Sequence, residues 1–151
     1  MLTWQLLTFD QLTTHTLYDL IKLRIEIFVV EQTCPYPELD DKDRAPGAHH
    51  LLGYNGDTLV ACARLLPPGV SFEGVSIGRV AIDAGWRGGQ RGHQLMEQAL
   101  SACELLWPGQ VIEIGAQEHL QGFYRRHGFQ AVSDSYLEDG IPHVDMRRVP
   151  G

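Results

Sequence analysis

Val75-Ser76-Ile77-Gly78-Arg79-Val80-Ala81-Ile82, followed closely by Arg87-Gly88-Gly89-Gln90-Arg91-Gly92-His93, is the stretch on which the fold turns. Val75 and Ile77 occupy odd positions, whereas Val80 and Ile82 occupy even ones. Strand side chains alternate faces with a period of two, so all four reach one apolar side only if an extra residue is inserted near Gly78-Arg79. That is a β-bulge, which bends the strand and leaves backbone N–H and C=O groups unpaired. Such groups can bind a peptide-like ligand such as pantetheine; the plainer reading is an ordinary bulge without one. The glycine-rich segment then opens a helix carrying Leu95, Met96, Ala99, Leu100, Cys103 and Leu106 at spacings of three and four. A helix N-terminus presents unpaired N–H groups and a partial positive charge. Gly88, Gly89 and Gly92 let that backbone approach an anion, and Arg87 and Arg91 add charge, so a pyrophosphate is the natural guest. No Gly-Lys-Ser or Gly-Lys-Thr occurs, which excludes a Walker loop, and the glycines do not give the GxGxxG spacing.

Outward from this stretch the pattern is mixed. Thr3 to Thr8 reads as a first strand, and Asp10 is placed to cap a helix bearing Leu17, Leu20, Ile21, Arg24, Ile25 and Phe28. Pro35 and Pro37 enforce an irregular loop over residues 34–47. Strands His49 to Tyr54 and Thr58 to Leu66 flank Asn55-Gly56-Asp57, a strong hairpin turn. Pro108-Gly109 stops the long helix, Gln110 to Ala116 reads as a strand, and a short helix holds Leu120, Phe123 and Tyr124. Gly128 is placed to end it in a left-handed cap, and Phe129 to Ser133 and His143 to Val149 finish the chain as strands. The order predicts an α/β (α+β) layer: a mixed central sheet of about six to seven strands, one of them bulged, with helices on both faces.

Composition narrows the function. The chain has 151 residues, fits a single domain over 1–151, and carries a formal net charge of −7. An acidic surface argues against binding nucleic acid, whose phosphates demand a basic face, and is compatible with a cationic amine. No apolar run approaches the ~20 residues that span a bilayer, and no leader pattern opens the chain. A cytoplasmic location without membrane attachment is expected. Cys34, Cys62 and Cys103 are dispersed and odd in number, which suits reduced thiols; Cys62 and Cys103 read as core filler. No metal site is expected: His49 and His50, as strand neighbours, point to opposite faces. Neither HExxH nor GxSxG occurs, which disfavours metal and serine hydrolases.

The second informative run is Gln117-Glu118-His119-Leu120-Gln121-Gly122-Phe123-Tyr124-Arg125-Arg126-His127-Gly128-Phe129. Together with the first, it resembles the GNAT superfamily of N-acetyltransferases: a bulged strand, an Arg-x-x-Gly-x-Gly-type turn, a helix, and a later run ending in tyrosine and Gly-Phe. Leu23 to Gln32, Cys34-Pro35-Tyr36, Gly115-Ala116-Gln117 and Glu138 to His143 look more narrowly like the ElaA-type group of that superfamily. Gln90 stands where the usual turn has its middle glycine, and Gln117 replaces a more typical asparagine.

The resemblance implies acetyl-coenzyme A as cosubstrate and direct attack by an amine on the thioester. Pantetheine would lie along the backbone of Val80, Ala81 and Ile82, and the pyrophosphate on Arg87, Gly88, Gly89, Gln90, Arg91, Gly92 and His93, with Gln117 also on the coenzyme side. A backbone N–H near Ala81 would hold the oxyanion. Tyr124 would act as the catalytic acid, protonating the departing thiolate. Arg24, Glu31, Tyr36, His49 and His143, with Glu38 and Asp40, are candidates for the acceptor side. The segment Glu38 to Asp43 reads more simply as solvated surface, Arg24 as paired with a carboxylate, and His143 with Asp145 as a base and its orienting group. The acceptor is a small-molecule or protein amine, and a homodimer is common among similar proteins. The alternatives are an acyl-coenzyme-binding module without catalysis and an acyl-homoserine-lactone-type synthase.

Overall fold

A computed structural model describes residues 2–150. The chain runs β1 (Thr3–Thr8), α1 (Thr14–Ile25), β2 (His49–Asn55), β3 (Thr58–Leu66), β4 (Val75–Ile82), α2 (Arg91–Leu106), β5 (Ile112–Gln117), α3 (Gln121–Arg125), β6 (Gln130–Ala131), β7 (Tyr136–Glu138) and β8 (Ile141–Arg148). The strands form one sheet in the order β1-β2-β3-β4-β5-β8-β6, with β7 also on β8. Among the described residues only β4 and β5 pair in parallel; the other pairings are antiparallel.

Helices cover both faces. On one face α2 and α3 bury Leu95, Met96, Ala99, Cys103 and Tyr124 against Ala61, Leu65, Val75, Ile77, Ile112 and Ile114. On the other, Leu20, Leu23 and Ile27 pack on Leu52, Leu59, Cys62 and Ala81. Val80 and Ile82 lie against the same cluster as Val75 and Ile77, whereas Ala81 belongs to the opposite one. The inserted residue required by the odd-even switch is therefore present.

Three local expectations are revised. Asp10 does not cap α1: Phe9–Gln11 form a short 3-10 turn closed by the Thr8 N–H donating to Gln11 Oε1 at 2.9 Å. Thr13 is the cap, its hydroxyl accepting the Thr16 N–H at 3.0 Å, which lets Leu12 pack under the helix. The buried stripe of α1 is Leu20, Leu23 and Arg24, continued by Ile27, while Ile25 is exposed. The helix widens past Ile25 into a π-helical turn over Glu26–Glu31, with N–H bonds reaching back five residues from Gln32 to Ile27 and from Cys34 to Val29. An eighth strand, β7, pairs with β8 across Asp139-Gly140, both at positive φ as a tight hairpin turn requires.

Candidate active site

The bulge decides the site. Cys62 faces Ala81 and Arg64 faces Gly78, so the single residue Ala63 stands opposite both Arg79 and Val80. Arg79 takes a left-handed φ of +50° to make the bend. Beyond it β4 no longer follows β5: the two strands pair only through Val75–Ile112 and Ser76–Glu113. Glu113 pins this apex, accepting the Gly74 N–H at 2.8 Å and pairing with Arg147 at 3.0 Å. The strands then splay into a cleft of about 750 Å³, lined from β4 by Ser76 to Ile82 and from β5 by Ile114, Gly115 and Gln117.

At the β4 end Arg87 lines the cleft, while Gly88, Gly89, Gln90, Arg91, Gly92 and His93, the rest of the glycine-rich turn, lie outside its lining. Gly88, Gly89 and Gln90 take φ of +88°, +58° and +64°, three successive left-handed residues that coil the chain into α2. Glycine adopts this freely, whereas at Gln90 it carries strain. Neither arginine of the turn stands free. Arg87 pairs with Glu31 at 2.8 Å and donates Nε–H to the Ile82 carbonyl, while Arg91 stacks 4.8 Å above the Trp86 ring. A side chain at Gly92 would start 3.4 Å from the Phe123 ring. His93 shares a 2.8 Å hydrogen bond with His127 and stacks on Phe123. Tyr124 is buried between Phe123 and Phe129, edge-on to both, and lines the cleft. Burial pushes its phenol up to about 12. Gly128, at φ +91°, ends this turn of helix as expected. Gln117 lines the cleft and donates to the Gln32 side chain at 3.3 Å.

Beneath the other end is a buried charge network. Arg24 pairs with Glu38 and with Asp43, Arg64 with Asp40 at 2.8 Å and Asp43 at 3.1 Å, and Arg79 with Glu38 at 3.1 Å and Asp40 at 3.3 Å. Burial raises the Asp40 carboxyl, but the hydrogen bonds and charge of Arg64, with the Lys42 N–H and Arg79, outweigh it and hold it at about 2. Tyr36 donates its hydroxyl to Glu38 and stacks under Arg79; burial and that bond push its phenol up.

The expectation of a solvated acidic segment is thus overturned: Glu38 and Asp43 are buried, because three arginines on three elements need their charge. Arg24 does pair with carboxylates, and at 1% exposure it lies below the cleft rather than on its wall. His49 lies outside the cleft as well. Strand β2 is separated from the splay by β3, and the His49 ring meets Trp107 edge-on at 5.9 Å. Glu31, Tyr36, Asp40 and His143 do line the cleft. His143 and Asp145 do not pair: His143 Nδ1 bonds the Ile141 carbonyl at 2.7 Å, and Asp145 accepts the Tyr136 hydroxyl at 2.6 Å. The sequence reading missed Arg64 and Arg79; the signal was a charged residue within the apolar run Leu59–Leu66 and another at the bulge itself.

A splayed β4–β5 pair, a bulge and a glycine turn feeding a helix define an acyl-coenzyme N-acyltransferase fold, and the chain belongs to the GNAT acetyltransferase family. The family model "Acetyltransferase (GNAT) domain" matches residues 25–149. Among relatives, the protein ElaA of Escherichia coli K12 is 45% identical over 98% of this chain and 97% of its own. Its crystal structure superposes with a TM-score of 0.92 at 44% identity, covering 98% of this chain and 99% of that one. An acyl-CoA N-acyltransferase from Pseudomonas aeruginosa superposes with a TM-score of 0.95 at 47% identity, covering 99% and 100%. An aminoglycoside 6′-N-acetyltransferase solved with coenzyme A shares the fold at 15% identity, with a TM-score of 0.71 over 96% of each chain.

Proposed function

We propose that this chain transfers the acetyl group of acetyl-coenzyme A directly to a primary amine. The observation that carries the reading is the opening of β4 from β5 directly past Ser76–Glu113, on a bulge that leads into the glycine turn of α2. Backbone on β4 that no longer pairs with β5 gives the pantetheine amides partners at Val80 and at Ile82, whose carbonyl also accepts the Arg87 Nε–H. The N–H groups of Gly92 and His93 at the start of α2 cradle the diphosphate, the Arg91 N–H being held by the Gly88 carbonyl. Arg87 and Arg91 are engaged with Glu31 and Trp86, so the backbone and helix dipole supply most of that attraction. The amine attacks the thioester carbon, and the oxyanion is held by a backbone N–H near Ala81. The C–S bond then breaks, and the thiolate takes a hydrogen bond from Tyr124, protonated throughout the physiological range.

His143 is the proton acceptor for the amine. Nδ1–H donates to the Ile141 carbonyl, which leaves Nε2 as the ring's proton acceptor, 3.5 Å from the Glu138 carboxylate. The experiment is calorimetric titration with acetyl-coenzyme A, then thiol release with an amine panel. Gly92→Val adds branches against Phe123 at the diphosphate cradle and should weaken coenzyme binding at least tenfold. Unchanged affinity refutes the assignment.

A further inference from the structure

The cleft wall carries four cations, Lys42, Arg64, Arg79 and Arg87, and four carboxylates, Glu31, Asp40, Glu138 and Asp139, and they divide by position. The buried network contains three guanidinium groups, Arg24, Arg64 and Arg79, and three carboxylates, Glu38, Asp40 and Asp43, which neutralise one another. Its acids are therefore spent and cannot attract a cationic amine. Lys42 is left over. It lines the cleft, and its ammonium donates to the Ser71 hydroxyl at 2.8 Å, a neutral partner; no ion pair engages it among the described residues. Having accepted that bond, the Ser71 hydroxyl keeps its own proton to give. Ammonium and hydroxyl thus present two donors 2.8 Å apart, a spacing that the two oxygens of one carboxylate can span. Arg64 also lines the cleft, and its Nε is buried without a hydrogen-bond partner among the described residues.

The facing wall has the opposite character. Gly115 contributes no side chain, and a Cβ there would lie 3.2 Å from the Tyr136 hydroxyl, 3.8 Å from the Asp145 carboxylate that this hydroxyl engages, and 4.0 Å from Phe72, the neighbour of Ser71. Lys42, Ser71, Phe72, Gly115, Tyr136 and His143 all line this one cleft. Beside Tyr136 stand His143 and Glu138, a proton acceptor and an anion suited to an ammonium.

We infer that the acceptor is a small amino carboxylate, its carboxylate clamped by Lys42 and Ser71 and its amine delivered to His143. This rests on the acetyl-transfer reading above. In the transfer the amine nitrogen forms the N–C bond, the C–S bond breaks, His143 takes the amine proton, and the thiolate is protonated with Tyr124 as donor. The carboxylate is unchanged.

The test uses the full chain saturated with acetyl-coenzyme A. Thiol release is measured with the common amino acids and β-alanine, each against its carboxamide, and binding of every compound to the coenzyme-A complex is followed by ligand-observed NMR. At least one acid should exceed its amide in kcat/KM by tenfold or more, the scale of one charge-assisted hydrogen bond. Lys42→Met should abolish that preference, and Lys42→Glu should reverse it. Coenzyme affinity in both variants should stay within a few-fold of the wild-type value, because the Lys42 ammonium bonds Ser71 and not the α2 turn. Equal use of acid and amide, a preference that survives Lys42→Met, or failure of every acid to react or bind overturns the inference. Loss of coenzyme binding by the wild-type chain refutes the underlying reading instead.

Discussion

Replacing Arg24 by methionine should cost this protein a large part of its stability while leaving the cleft walls chemically intact. Arg24 is 1% exposed, and its two carboxylate partners, Glu38 and Asp43, have side chains only 4% and 8% exposed. The variant keeps two guanidinium groups against three carboxylates, leaving one buried negative charge without compensation. Breaking a buried pair from one side costs about 3–5 kcal/mol. For a domain of this size each kcal/mol lowers Tm by about 2–4 °C, so a fall of roughly 6–20 °C is expected. The assay is urea denaturation followed by far-UV circular dichroism at pH 7, with thermal melts in parallel. Removing the surplus charge as well, in Arg24→Met/Glu38→Gln, should recover part of the loss despite deleting a second side chain. Arg44→Met, which breaks the exposed pair with Asp41, is the control and should change nothing measurable. A single variant as stable as the wild type, or a double variant less stable than the single, would show that charge balance is not what the network supplies.

Tyr124→Phe should lower kcat by about 100-fold or more while changing the coenzyme dissociation constant only a few-fold; equal losses in both would refute the acid role. Gln90→Gly, at φ +64°, should raise stability by up to about 1 kcal/mol by relieving left-handed strain, read from the shift in urea midpoint. Asp40 lies below its ordinary value in the fold, at about 2, so its contribution is complete above the unfolded carboxyl near 4 and is lost as pH falls toward 2. Acid titration of the wild type should show that loss, and Asp40→Asn, less stable at pH 7, should be flatter between pH 4 and 2.

The local order of elements was legible because it is written in near-neighbour patterns. The parity change between Ile77 and Val80 announces the bulge, the spacing from Leu95 to Leu106 announces α2, and Gly88, Gly89 and Gly128 mark places where φ turns positive. These depend on residues within a few positions of one another, and steric limits on φ and ψ make them nearly independent of the rest of the chain. The acceptor half was not legible in the same way. Glu38 and Asp43 look solvated in a segment of acids and prolines, and nothing adjacent in sequence says that Arg24, Arg64 and Arg79 converge on them from a helix and two strands. Long-range pairing decides that, because a buried charge is tolerated only where other elements bring its counter-charge. His143 and Asp145 share a strand face, yet Tyr136, on a three-residue strand, takes the carboxylate, and the hairpin carbonyl of Ile141 takes the imidazole. Local stereochemistry thus determined the frame, and tertiary convergence of charge determined which side chains reach the cleft.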